Sequence, residues 1–445
     1  MRDARTWLVV VSALAGCGEV KDPTPPDAPG GSAATVTISP ANPKTADDLV
    51  ATVSGATVTL RWSLNAVVRT DVTGATIANS LTAKGERWAV DAVSSTGEVL
   101  DHDEVVIGNT APSMFDVEVQ ISGAAASPVP CAIVAMATDD DADTVTYAAT
   151  WLRNGVAYTN ATMTTFPGDT VPGADHAAGD QFECSVAASD GADMTTAIAG
   201  GRVLVPNGVP PNGTIQNFTT PAVASLRVEA GGAHGASGAG TNGAVMIGTF
   251  SPAAGSVLQI LVGQSPTSLA GGGGTFVMAS ATMPMVIAGG GGSVFSATVP
   301  VAESQGRIVT SGGTAGAVVR ADNGQGGRNV SGSNSGAGGG LLANGAGTGG
   351  GQGFAAGAAG GGTMAENQWG GFGGGGGRTG LWGQGGGGGY SGGSCADTYT
   401  APIPPATTGS GTWVGCGGGG SINMGTDPVN TAGGNTGTGY VKITW

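Results

Sequence analysis

Asp139-Asp-Asp-Ala-Asp143 sets three carboxylates at alternate positions. Hard oxygen ligands so spaced suit Ca²⁺, which makes Asp139, Asp141 and Asp143 a candidate metal set. The bidentate Glu of an EF-hand is missing at its spacing, and Ala142 stands where such loops carry Gly. The run therefore also reads as a solvated acidic turn between strands. The chain has three His, His102, His176 and His234, none near another, and no His-x-x-x-His or Cys-x-x-Cys spacing. His234 is expected to bond backbone in a turn rather than act as a base. Gly389-Tyr-Ser-Gly-Gly393 fits G-x-S-x-G formally. A nucleophile elbow needs a strand, a turn and a helix, with distant acid and His partners. In a stretch this rich in Gly the match is expected by chance, as are the G-x-G-x-x-G matches. Asp175 beside His176 is a loop dipeptide with no nucleophile near it. After residue 210 the acids are Glu229, Glu303, Asp322, Glu366, Asp397 and Asp427, too scattered to argue a glycosidase pair. The expectation is a protein that is not an enzyme, with no catalytic residue and no cofactor beyond a structural Ca²⁺.

The elements that carry these residues fall into unlike halves. Of 86 Gly in 445 residues, 18 lie in 1–209 and 68 in 210–445. The first half carries 25 Asp+Glu against 10 Lys+Arg, which accounts for the whole net charge of −15; the second is neutral. No Lys/Arg cluster exists to neutralise phosphates, so a nucleic-acid partner is not expected. No run of about 18 apolar residues supports a multi-span membrane protein. The Gly lacks the strict period of three that collagen needs.

The start of the chain reads as an address. Arg2 and Arg5 precede the apolar run Thr6–Gly16, which ends in Leu14-Ala-Gly-Cys17. This resembles the lipobox of bacterial lipoproteins. The resemblance implies a signal peptide over 1–16 and lipid, palmitate included, on the sulfur and amine of Cys17. Gly18 in place of Asp implies sorting to the outer membrane. Residues 17–33 are Pro- and Gly-rich with almost nothing apolar, and read as a flexible tether.

From Ala34 short β-branched runs recur at about ten-residue spacing, the signature of an antiparallel sandwich. Asn109-Thr-Ala-Pro-Ser113 reads as a joint. The next stretch repeats the first: Trp151-Leu-Arg-Asn-Gly155 echoes Trp62-Ser-Leu-Asn65, and Gly179-Asp-Gln-Phe-Glu-Cys-Ser-Val186 echoes Gly85-Glu-Arg-Trp-Ala-Val90. Cys131, Trp151 and Cys184 resemble the Cys…Trp…Cys arrangement of immunoglobulin-like and polycystic-kidney-disease-type modules. That resemblance implies two sandwiches, 34–112 and 113–209, the second bridged by Cys131–Cys184. The first would fill the same places with Leu49 and Val90.

Residues 210–445 alternate strand-like runs, expected near 225–230, 256–262, 274–278, 285–288 and 439–444, with pure Gly tracts. The bland reading is a flexible linker. Against it stand the bounding apolar runs, the aromatics Trp369, Phe372, Trp382, Tyr390 and Trp413, and Cys395 and Cys416. With Cys17 lipidated and Cys131 bridged to Cys184, Cys395–Cys416 is the remaining pair. Poly-Gly can take an extended three-residue-per-turn helix, and without side chains such helices can bond laterally. The ordered series Glu229-Ala-Gly-Gly-Ala-His-Gly235, Leu261-Val-Gly-Gln264, Gly271–Val277, Val286–Gly292, Gly370–Gly377 and Gly385–Gly393 resembles the glycine-rich extracellular domain of anaplastic lymphoma kinase and leukocyte tyrosine kinase receptors. The resemblance implies a bundle of poly-Gly helices beside a tumour-necrosis-factor-like β-sandwich, and a binding role with a protein or glycan ligand.

The expectation is thus an all-β chain: two tandem immunoglobulin-like sandwiches and a glycine-rich domain. It would be lipid-anchored in the bacterial envelope, at the outer membrane or cell surface, and serve recognition or adhesion. Alternatives are a structural envelope lipoprotein without a ligand, or a secreted hydrolase. The ligand-contacting residues are not legible.

Overall fold

The computed structural model describes residues 34–122, 126–236, 241–267, 269–294, 301–314, 318–329, 334–362, 368–379, 383–399 and 413–445. It is nearly all β, with a single four-residue α-helix, Val301–Ser304, among the described residues. Two compact units divide at Thr110 and Ala111.

The first unit has strands β1 (Thr35–Ser39), β2 (Leu49–Ser54), β3 (Thr59–Leu64), β4 (Val67–Val68), β5 (Thr76–Ile77), β6 (Arg87–Val93) and β7 (Val99–Val106). They form two antiparallel sheets, β1-β2-β5 and β4-β3-β6-β7. Alternation drives the pairing: Val36 and Ile38 of β1 and Leu49 and Ala51 of β2 point inward onto Trp62, Trp88 and Val90. β1 is an edge, where N–H groups would be left open. Asp101 and Asp103 of β7 close it, their Oδ2 atoms accepting from Val36 N at 2.7 Å and Ile38 N at 2.6 Å.

The second unit begins with β8 (Asp116–Val119), β9 (Val129–Ala135), β10 (Thr146–Arg153), β11 (Val156–Tyr158), β12 (Thr170–Val171), β13 (Gln181–Ser189) and β14 (Met194–Leu204). Sheets β12-β9-β8 and β11-β10-β13-β14 enclose a core of Val129, Cys131, Trp151, Phe182, Cys184 and Val186. The internal echo in the sequence has a physical counterpart. Trp62 and Trp151 lie opposite Val90 and Cys184 respectively, and each indole N–H donates to a glycine carbonyl, Gly74 O at 2.9 Å and Gly168 O at 2.7 Å. Asn65 and Asn154 both take positive φ in the hairpin that follows, with side chains that accept from Arg87 N and Gln181 N.

The rest of the unit adds β15 (Gln216–Thr219), β16 (Leu226–Gly231), β17 (Gly243–Phe250), β18 (Val257–Leu261), β19 (Thr275–Ser280), β20 (Met283–Ala288), β21 (Cys395–Tyr399), β22 (Trp413–Cys416), β23 (Ile422–Asn423), β24 (Thr426–Asn435) and β25 (Tyr440–Thr444). β25 lies between β14 and β16, so one eight-stranded sheet, β11-β10-β13-β14-β25-β16-β17-β24, runs from residues 113–209 into residues 210–445. A five-stranded sheet, β15-β18-β19-β20-β23, packs on it through Phe218, Leu226, Met246, Ile260, Val286 and Ile443. The middle of this second sheet is buried on both faces, and the centres of β19 and β20 accordingly read as apolar runs, Phe276–Met278 and Met285–Ala288. Its far face, Leu261, Phe276, Met278 and Ile287, meets Leu341, Phe354 and Phe372 from the Gly tracts.

The tracts bond to one another sideways. Around Gly385–Tyr390, Gly386 N and Gly389 N donate to Gly336 O and Gly339 O, and Gly387 N and Tyr390 N to Gly417 O and Gly420 O. Gly388 N donates to Gly272 O, while Ser293 N, Gly376 N and Gly290 N donate to the carbonyls of Gly385, Gly386 and Gly388. Partners recur every third residue, the period of an extended three-residue-per-turn helix. A strand has two neighbours; this segment bonds to five other tracts. A Cβ on Gly375 or Gly387 would lie under 3.0 Å from backbone atoms of Gly271 or Gly290, which explains why the tracts are glycine.

Candidate functional site

The acidic turn lies between β9 and β10. Carboxylate oxygens of Asp139, Asp141 and Asp143 come within 4.8 Å of one another. Asp139 Oδ1 accepts from Asp141 N at 2.9 Å and Asp143 N at 3.2 Å, so the turn bonds to itself. Asp139 Oδ2 is buried with no hydrogen-bond partner. Ala142 takes φ 62, the conformation for which such loops use Gly. The donor set is one a hard cation could use, and equally a self-bonded acidic turn.

Two disulfides are present, Cys131–Cys184 with Cα atoms 6.4 Å apart and Cys395–Cys416 at 4.2 Å. Cys17 and Trp382 lie outside the described residues, as does the side chain of Trp413. Phe372 is buried against the five-stranded sheet, and Tyr390 packs at the edge of the same cluster.

The histidines are dispersed. His102 Nδ1 pairs with Asp91 Oδ1 at 2.7 Å, beside Arg61. His176 is buried on Phe182, with Nδ1 3.1 Å from Ser127 O. His234 Nδ1 sits 2.7 Å from Gly235 O, in the backbone-bonding role expected of it. Ser391 of the G-x-S-x-G match is fully buried, its Oγ accepting from Gly324 N at 3.2 Å, and the chain beyond it enters β21, a strand. Asp175 accepts from Tyr158 OH at 2.6 Å; burial and that carboxylate push the phenol up to about 12.

Two concavities mark the second unit. One, of about 440 Å³, lies over the junction strand β25, where Tyr440 OH donates to Glu229 Oε1 at 2.5 Å near Lys442. Burial first, then the Glu229 carboxylate, raises the Tyr440 phenol far above its ordinary value.

The other, of about 620 Å³, lies among the Gly tracts and is lined by Asn212, Thr348, Gln352, Gly360, Gly361 and Trp369, among others. Among the described residues the lining contains no Asp, Glu, Lys, Arg or His. Its walls are held from behind. Buried Gln264 donates through Nε2 to Asn207 O at 2.8 Å and Asn212 O at 2.9 Å. Gly360 N donates to Pro211 O and Gly361 N to Gly375 O. Trp369 O accepts from Thr267 N and Trp369 N donates to Thr267 Oγ1 at 3.2 Å, and the residue stays half-buried. Sequence reading placed Trp369 among the aromatics of the tracts but did not bring it together with Asn212 or Gln352. Their sequence separation leaves no pattern to find. Set against known proteins, the chain matches no family model and no curated protein.

Proposed function

We propose that this chain is a lipoprotein of the bacterial envelope, anchored through Cys17 at the outer membrane, that presents a glycine-rich head for recognition or adhesion. On this reading 34–112 and 113–209 are immunoglobulin-like modules of a stalk. Residues 210–445 are a glycine-rich domain of the kind seen in anaplastic lymphoma kinase and leukocyte tyrosine kinase receptors, with a poly-Gly bundle beside a tumour-necrosis-factor-like sandwich.

One observation carries the reading. The Gly tracts bond to one another through their backbone groups, the 385–390 segment to five neighbours, which supports a fixed scaffold rather than a linker. Loops on a rigid frame are where binding residues concentrate.

Two measurements test it on the full chain. Cys17→Ser should accumulate as unlipidated precursor and leave the membrane fraction; unchanged mature mass and partition would sink the anchor. The wild-type protein should be retained by at least one of a glycan array, a peptide library or intact cells. Retention by none would favour a purely structural envelope role.

A further inference from the structure

We propose that the Trp369 concavity is a saccharide-binding site, an inference that rests on the recognition reading and names the ligand class. Charge comes first. Among the described lining residues none is ionisable, so these walls offer a phosphate, a carboxylate or an ammonium group no counter-charge for the water it would lose. The described walls therefore suit a neutral ligand.

Polarity comes next. Asn212, Thr348 and Gln352 each offer both donor and acceptor atoms, as a sugar hydroxyl does. Among the described residues none is a hydrogen-bond partner of these three side chains. They are exposed at the rim, with their hydrogen-bonding capacity unspent. A lipid or a compact aromatic ligand would want extended aliphatic walls, and among the described lining residues only Pro211 and Ala359 are aliphatic.

Among the described lining residues the Trp369 indole supplies the one aromatic surface. A pyranose ring has a face of C–H groups that stacks on such a plate while its hydroxyls point outward to the rim. The electron-rich face of the indole favours those polarised hydrogens. Gly360 and Gly361 contribute backbone to the wall, their Cβ directions being closed off by the carbonyls of Gly370 and Gly349 in the bundle behind. Gly362 keeps the indole close on one side, where a Cβ would meet Trp369 Cε3 at 3.2 Å.

Rigidity supports affinity. The Pro211–Asn212 wall is tied to the bundle by Gln264 and by Gly360 N, so little ordering remains for a ligand to impose. The volume of about 620 Å³ falls in the range of small-ligand sites and has room for a short oligosaccharide.

The test titrates the full chain with maltotriose, cellotriose, laminaritriose and chitotriose, by calorimetry and saturation-transfer NMR. At least one should bind saturably at one site, with transfer strongest at ring C–H protons. Trp369→Ala should weaken that binding by at least about tenfold. Gln352→Ala, a change at an exposed side chain, should weaken it less. Unchanged amide protection over Gly386–Gly389 in both variants shows that the fold is kept. Should Trp369→Ala lose that protection, Gln352→Ala alone decides. No saturable binding by any of the four sugars up to millimolar concentration overturns the proposal, as does binding that neither variant alters. Peptide or cell capture by a protein that binds none of the four sugars overturns the saccharide site and leaves the recognition reading standing. If nothing is captured at all, both fall.

Discussion

Asp169 is 2 % exposed and charged, and it survives burial by accepting five hydrogen bonds. Thr164 N and Thr170 Oγ1 donate to Oδ1; Thr164 Oγ1, Thr165 N and Phe166 N donate to Oδ2. Burial opposes ionisation, but these donors outweigh it and hold the carboxyl below the usual range. A lowered carboxyl stabilises the fold above the unfolded-state value of about 4 and stops doing so as pH falls through the lower folded value. The Asp169→Asn variant should therefore lose about 2 kcal/mol near neutral pH, and the difference from wild type should shrink below about pH 4. Urea melts across pH check it, and a difference constant with pH would refute it. Nothing in Thr164-Thr-Phe-Pro-Gly-Asp169 announces this role, because any loop of polar residues around Pro-Gly reads alike. The Cys131–Cys184 bridge was legible through the resemblance of Cys131, Trp151 and Cys184 to the Cys…Trp…Cys arrangement of immunoglobulin-like modules.

Legibility at the level of elements follows the same physics. The strands expected near 225–230, 256–262, 274–278, 285–288 and 439–444 stand at Leu226–Gly231, Val257–Leu261, Thr275–Ser280, Met283–Ala288 and Tyr440–Thr444. Each carries buried apolar residues, and burial is what patterning reports. β24, Thr-Asp-Pro-Val-Asn-Thr-Ala-Gly-Gly-Asn, was not foreseen. It is an edge strand, largely exposed, with Pro428 and two Gly, and shows no alternation to read. The Gly tracts were visible but their partners were not, since glycines carry no side-chain pattern to set register. What the backbone demands can still be tested. Gly387→Val would place a Cβ under 3.0 Å from Gly290 O. Pushing that neighbour away breaks several lateral bonds, at a cost of about 3 kcal/mol or more. Gly437→Ala is the control: its Cβ meets Asn435 Oδ1 at an ordinary 3.7 Å, and stability should stay within about 0.5 kcal/mol. Thermal melts of the full chain separate the two, and equal tolerance at both positions would mean that the tracts are not packed.

At the scale of the molecule, the last strand decides how much of the chain folds as one body. β25 bonds to β14 through Gly201–Leu204 and to β16 through Arg227–Gly231, and buries Val441 and Ile443 between the sheets. Its position is keyed by two glycines. The Tyr440 ring lies over Gly231 and the Trp445 indole over Gly200, where in each case a Cβ would collide with the ring. Gly200 and Trp445 also exchange backbone bonds of 2.8 and 3.0 Å. Without β25 the eight-stranded sheet would have two new open edges, at β14 and at β16. Deleting residues 440–445 exposes two core side chains and strips both edges of partners, a loss of about 5 kcal/mol. Amide exchange should then quicken together at Val203 and Val228, on opposite sides of the missing strand. The transition of the first unit, residues 34–110, should stay where it was, because none of its strands pairs with β25. If Val203 keeps its protection after the deletion while Val228 loses it, residues 113–209 fold independently of the last strand. The continuous sheet would then be a contact between separate folding units rather than the spine of one.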